Sequence, residues 1–301
     1  MQKLLNRSFL IGLVFFAASP LVAQDFWSWW GDGKGEVSSY RVTVSRYGER
    51  REGYAVLVFV TENISRTTRL KVESGNIPPQ DRVPVLKLNR VVKFNTGLYD
   101  YSLMTSVFSS VGAEFGRPPF APLKISFTGQ ELCGHVLQML IPQREQVELT
   151  LHSYFESEGD QKRNIKLPAN PAFEDNFPIW IRELNGEVLA AGQRRELQIF
   201  PSSWFSRAAH QTADFQAGWI MKEEGETLKT VEGSAPTWRW TWQIGNRQET
   251  YWIEKATPHR ILKWSSSDGG QGELKKSLRL PYWQLHNNAD LPYRDQLGIP
   301  K

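Results

Sequence analysis

Cys133, Gly134 and His135 come nearest, by residue type and spacing, to a reactive group. In a β-strand, positions 133 and 135 project from the same face. That would set a thiol beside an imidazole, as a nucleophile–base pair requires. Cys133 is also the only cysteine in the chain, so no intramolecular disulfide can form. A lone cysteine commonly packs as a small hydrophobe, and an exposed thiol is prone to oxidation outside the cytoplasm. The expectation is therefore a buried, inert Cys133, with the Cys133–His135 pair as the alternative. The other histidines (His152, His210, His259 and His286) are scattered, with no two at the local spacing typical of metal sites. Zincin, nucleophile-elbow, P-loop, paired CxxC and EF-hand patterns are absent from the sequence. Glu254, Asp100, Glu156 and Glu158 form no recognisable acid–base pair and read as surface charges. The sequence thus names no catalytic residue, no metal ligand and no cofactor.

Aromatic residues offer binding rather than chemistry. The chain carries 12 Trp, and Trp238, Trp240 and Trp242 alternate with Thr237, Arg239 and Thr241, which puts the three indoles on one face of a strand. Gly245-Asn246 then signals a two-residue hairpin. If Ile244 pairs with Arg247, Trp240 faces Tyr251 and Trp238 faces Ile253. Leu274, Leu278 and Leu280 extend the same face in a later strand. One face of a two-layer fold must be apolar in any case, so core packing is the first reading. A curved sheet with tryptophan on its concave side is also how a protein cradles acyl chains or sugar rings. Since one helix is available to cover this face, an apolar hollow is expected beside Trp238, Trp240, Trp242, Tyr251, Ile253 and Leu278. A second aromatic group, Phe26, Trp27, Trp29 and Trp30, reads as an arm docked on the body, or alternatively as a membrane- or partner-binding tip.

The elements that must hold these residues are mainly strands. Tyr40, Val42 and Val44 alternate with polar residues, and Tyr54 to Thr61 is a continuous apolar run. Strand-like segments continue over Thr68–Glu73, Val83–Lys93, Tyr99–Phe108, Lys124–Phe127, Leu132–Leu140 and Gln146–Phe155. Gly112–Pro122 reads as a loop. Phe177, Ile181 and Leu184 fall at helical spacing behind Asp175 or Asn176 and ahead of Asn185-Gly186, which predicts a helix over 176–185. The resulting organisation is an aromatic arm over 24–35, a first antiparallel region over 36–160, a linker and short helix over 161–185, a second antiparallel region over 186–286, and a tail over 287–301. The fold class is mainly β: a β-dominated α+β protein with two curved antiparallel sheets or half-barrels joined by a short helix, sharing either one core or two.

The N-terminus predicts export. Lys3 and Arg7 precede an apolar run over Ser8–Ala18, and Ala23 closes a cleavage signal, so residues 1–23 read as a signal peptide. The run is too short to span a bilayer, and no later segment reaches 18 apolar residues. A periplasmic or secreted location follows. Cleavage lowers the formal charge from +4 to +2, which with no long basic run argues against nucleic acid as a partner.

The stretches Ser38 to Glu62, Val83 to Phe108 and Glu131 to Phe155 resemble a group of uncharacterised exported bacterial β-rich proteins. Thr250 to Trp283 is similar in pattern to the closing meander of periplasmic domains related to the half-barrels of outer-membrane lipoprotein carriers of the LolA/LolB type. That resemblance implies an antiparallel sheet curled around one or more helices with an apolar cavity. It carries no site residues. The functional expectation is a non-catalytic periplasmic binder or carrier of a lipid-like ligand. Glycan or envelope binding through surface tryptophans is the alternative, and an enzyme without a local motif is a third reading.

Overall fold

The structure, a computed structural model, describes residues 26–73 and 75–300. The expected signal peptide lies outside the described residues. The chain is mainly β. A short helix α1 (Phe26–Trp30) leads into strands β1 (Gly35–Arg46), β2 (Glu49–Ser65), β3 (Arg82–Thr96), β4 (Tyr99–Ser110), β5 (Pro122–Glu131), β6 (Gly134–Pro142), β7 (Gln146–Ser153) and β8 (Gln161–Lys166). Next come β9 (Pro171–Phe173), α2 (Phe177–Trp180), β10 (Arg194–Phe200), α3 (Ser203–Ala208) and β11 (Gln216–Glu224). A small hairpin of β12 (Leu228–Thr230) and β13 (Gly233–Ala235) follows, and the chain closes with β14 (Thr237–Ile244), β15 (Arg247–Glu254), β16 (Ile261–Ser266), β17 (Gln271–Leu280) and α4 (Pro292–Leu297).

Among the described residues, fifteen strands form one sheet in the order β8-β7-β6-β5-β4-β3-β2-β1-β17-β16-β15-β14-β11-β10-β9. The two antiparallel regions are therefore halves of a single sheet, joined where β1 pairs with β17, from Gly35 opposite Leu280 to Thr43 opposite Gln271. All neighbours are antiparallel except the short parallel pair of β9 and β10. Laid flat, such a sheet would be roughly 65 Å wide at the usual strand spacing. Its two edge strands, however, are separated in sequence only by residues 167–170, which reach at most about 18 Å from Lys166 to Pro171. The sheet must curl until its edges nearly meet. No ladder closes them, and the seam stays open.

The stretches around α2 and α3, between and beyond strands β9 and β10, pack on the inner side of this curl and tie to both halves. Asn176 accepts a 2.6 Å hydrogen bond from Ser109 Oγ on β4 and donates to the Phe120 carbonyl. Gln138 on β6 donates to Ser203, and Trp242 Nε1 on β14 donates to Glu174. One apolar core runs through both halves and includes Phe59, Val107, Phe127, Phe177, Phe200 and Trp240. Trp264 closes part of it by lying over Gly272, where a Cβ would sit about 2.2 Å from the indole.

Three expectations need correction. The helix over 176–185 is only one turn, Phe177–Trp180, preceded by a 3-10 turn over Glu174–Asn176. Glu183 takes a left-handed φ of +50°, and the chain leaves the helix at Ile181–Arg182, where Arg182 is held by partners on other elements. The Thr68–Glu73 segment is not a strand and has only an isolated bridge from Lys71 to Ile64. The first β-region runs on through β8 to Lys166, six residues past the expected bound at 160, because β8 pairs with β7.

Candidate functional site

The tryptophan stripe forms in the register its spacing predicts. Ile244 pairs with Arg247, Trp240 with Tyr251 and Trp238 with Ile253. The hollow expected beside it is filled over Trp240 and Ile253 and reduced to a small crevice beside Trp242 and Tyr251. Trp240, Trp242, Tyr251 and Ile253 are all buried. Phe177 packs edge-on against Trp242 with centroids 5.0 Å apart, Trp242 stacks on Tyr251 at 4.8 Å, and Tyr251 stacks on Trp264 at 5.8 Å. Lys222 Nζ lies over Trp238 and Trp240 and is fixed by a 2.6 Å bond to Glu183. One turn of helix covers the stripe because the rest of the inner segment packs there as loop, a cover that helical periodicity does not reveal.

Leu278 leaves the stripe's face. A bulge between Ser39 and Tyr40 leaves Lys275 unmatched, so Leu274 pairs opposite Tyr40 but Leu278 pairs opposite Val37. Because side chains alternate, one extra residue moves every later side chain to the other face. Ser38 then bonds Ser277 across the pair at 2.8 Å, and Arg279 stacks over Trp29 and Trp30. On the outer face, Lys275 Nζ donates to the Gly298 carbonyl and Ser39 Oγ to that of Leu297, holding the C-terminal tail. The aromatic arm is docked through Phe26 and Trp30, while Trp27 is exposed.

Cys133 is exposed, against the expected burial. Leu132 and Cys133 form the tight turn between β5 and β6, so the strand that was to carry Cys133 starts one residue later, at Gly134. Cys133 and His135 therefore do not share a strand face, and no hydrogen bond joins them among the described residues. The thiol lies beside Tyr99, whose hydroxyl it pushes above its usual range.

Among the described residues, two openings bear on a ligand site. The first is a narrow crevice of about 60 Å³ at the hairpin-turn end of the curl, walled mainly by apolar surface that includes Trp204, Trp242, Tyr251 and Trp264, with Arg90, Glu174, Asp175 and Glu249 as its charged groups. Trp242 and Tyr251 are the members of the predicted set that reach it. Arg247 donates to both Glu174 and Glu249. Glu174 also accepts from Trp242 Nε1 at 2.9 Å and the Ser202 amide at 2.8 Å. Asp175 accepts from Ser202 Oγ and the Ser203 amide, although burial raises its carboxyl. Glu249 shares Arg247 with Glu174 and is pushed up to about 7, first by burial and then by the negative charge of Glu174. A carboxyl titrating near neutrality can donate or accept a proton. The space beside it is the size of a few waters and too small for a substrate. This cluster ties the inner segment to β14 and β15.

The second opening is an apolar cleft of about 360 Å³ at the open seam, within the size range of ligand sites. One wall is the loop Arg117-Pro118-Pro119-Phe120-Ala121-Pro122. The other is built from Leu167, Phe173, Phe177, Trp180 and Leu197, on and around β9, α2 and β10. Asn176 bridges the walls through the Phe120 carbonyl and Ser109. Prolines carry no amide N–H, which leaves this face of the loop poor in donors. Arg117 and Arg195 are the charged residues on the lining, and Arg195 lies over the Trp180 ring at 5.8 Å. None of the predicted ligand residues lines this cleft. The loop that combines Pro118, Pro119 and Pro122 with Phe120 was legible as a loop, and the apolar residues from Leu167 to Trp180 were legible as linker and helix. Only the curl of the sheet brings them together.

No family model, curated protein or solved structure matches this chain. Among the described residues, no group of three or more His, Cys, Asp or Glu could hold a metal ion, and no helix is long and apolar enough to cross a membrane.

Proposed function

We propose that this is an exported, non-catalytic protein that binds an anionic amphiphile, with the apolar chain lying in the seam cleft. The observation that carries this reading is the cleft itself: an open volume of about 360 Å³ walled by proline, phenylalanine, leucine and tryptophan, with arginines as its charged lining. The signal-like N-terminus and the resemblance to half-barrel lipoprotein carriers support export and a lipid-like ligand. Burial of Trp240 and Trp242 in the core supports a ligand site away from the tryptophan stripe.

The test is displacement of a fluorescent fatty-acid probe by dodecanoate and by a soluble oligosaccharide. Dodecanoate displaces the probe saturably, the oligosaccharide does not, and Pro119→Asp weakens the probe at least tenfold by placing a like charge on the cleft wall. Displacement by the oligosaccharide alone favours the glycan reading and removes this one.

A further inference from the structure

Behind the proline loop lies a cationic cluster that the cleft does not explain. Arg69 follows β2 with a left-handed φ of +59°, uncommon for a residue with a Cβ. It is 8 % exposed, yet its Nε and Nη1 are buried without a hydrogen-bond partner. Its guanidinium carbon lies 4.5 Å from the centroid of the Phe115 ring. Arg117 repeats the pattern: Nη2 donates to the Pro142 carbonyl at 3.2 Å, while Nε and Nη1 are buried and unpartnered. Burial, joined by the charge of Arg69, pulls the Arg117 guanidinium down to about 10. Lys124 adds a third cation 3.4 Å from the Arg69 carbonyl.

The acids nearby are Glu114, Asp81 and Glu148, and each is already engaged, Glu148 by the Gln143 amide. Glu114 accepts from Arg66 Nε and Nη2 at 3.0 and 2.7 Å. Asp81 accepts from Ser65 and Thr67. Nε and Nη1 of both guanidiniums, four nitrogens carrying six N–H groups, are thus buried and unused, which is costly unless an anion completes them. The guanidinium fork matches the oxygens of phosphate in two-point contact.

We propose that Arg69 and Arg117 form a binding site for a phosphate-type oxyanion. The site rests on these guanidiniums and stands independently of the amphiphile reading. Because Arg117 also lines the apolar cleft, the phosphate can be free or can head an alkyl chain lying in that cleft.

Calorimetric titration at fixed ionic strength separates these sources, using inorganic phosphate, dodecyl phosphate and dodecyl maltoside below their micelle thresholds. Wild type is expected to bind inorganic phosphate or dodecyl phosphate saturably, and Arg117→Gln and Arg69→Gln each to weaken that binding at least tenfold. Far-ultraviolet circular dichroism reports folding of each variant, and Arg117→Gln is the decisive one should Arg69→Gln fail to fold. Dodecyl phosphate binding at least tenfold tighter than inorganic phosphate identifies a lipid headgroup, and equal affinities identify a free oxyanion. Phosphate binding without any alkyl-chain contribution supports the oxyanion site while removing the amphiphile reading. Absence of binding by both phosphates, or equal binding by wild type and folded Arg117→Gln, overturns the proposal.

Discussion

The Arg182 guanidinium grips the Glu36 carboxylate with two hydrogen bonds, Nη1 to Oε1 at 3.0 Å and Nη2 to Oε2 at 2.8 Å, with both side chains buried. Arg182 also donates to the His259 and Pro258 carbonyls, and its guanidinium lies over Phe59 and Trp30. One side chain therefore ties the inner segment to β1, to the turn before β16 and to the N-terminal arm. It sits near the β1–β17 junction that makes the two halves one sheet.

Removing one member of this pair strands the other. Arg182→Ala is expected to cost about 3–5 kcal/mol, since Glu36 is left charged and buried. The double variant Arg182→Met/Glu36→Leu should be less destabilised than Arg182→Ala. Urea unfolding of the three proteins checks the order, and a smaller loss in Arg182→Ala than in the double variant would contradict the pairing.

Glu249 gives the fold a pH dependence of known sign. Its carboxyl is raised in the folded chain to about 7, whereas unfolded glutamate titrates near ~4.3. The folded state then holds a proton that the unfolded state has lost, so stability falls as pH rises from about 4.3 to 7 and levels off above. The effect is at most roughly 4 kcal/mol. In Glu249→Gln this part of the slope disappears and stability at pH 8 rises. Denaturant midpoints at pH 5, 6, 7 and 8 measure it, and parallel profiles for the two proteins would rule it out.

Trp240→Ala separates core from site. The side chain is fully buried, and removing an aromatic of this size costs about 3–5 kcal/mol. Affinity for dodecanoate per folded molecule should be unchanged. A tenfold loss of affinity at equal folded fraction would restore the stripe as a binding surface.

Strand pattern and local turns were legible in the sequence, and they include the register of β14 with β15, because period-two alternation and Gly245-Asn246 are local signals. The faces of Leu274 and Leu278 were not, because a bulge in the β1–β17 pair depends on a partner more than 230 residues away in sequence. Cys133 was misjudged by one residue of strand boundary, which exchanged a core position for a turn. The cleft was invisible for a different reason. Its walls, Pro118–Phe120 and Leu167–Trp180, meet only because a fifteen-stranded sheet curls until its edges approach, a global property that no sequence window contains.

Exposure of Cys133 has its own consequence. The native protein should react with a thiol reagent at neutral pH at a rate close to that of the unfolded chain, and Cys133→Ser should change stability by no more than about 0.5 kcal/mol. Thiol labelling with and without denaturant compares the two rates. Strong protection in the native state would contradict a turn position.

The central claim, that the ligand's apolar chain occupies the seam cleft, is tested most directly by photo-crosslinking. A fatty acid bearing a diazirine in its chain, irradiated with the folded protein and mapped by peptide mass spectrometry, should label residues within 116–122 and 167–180, with competition by unmodified dodecanoate. Labelling concentrated at 238–253, or labelling that dodecanoate does not compete, would contradict it.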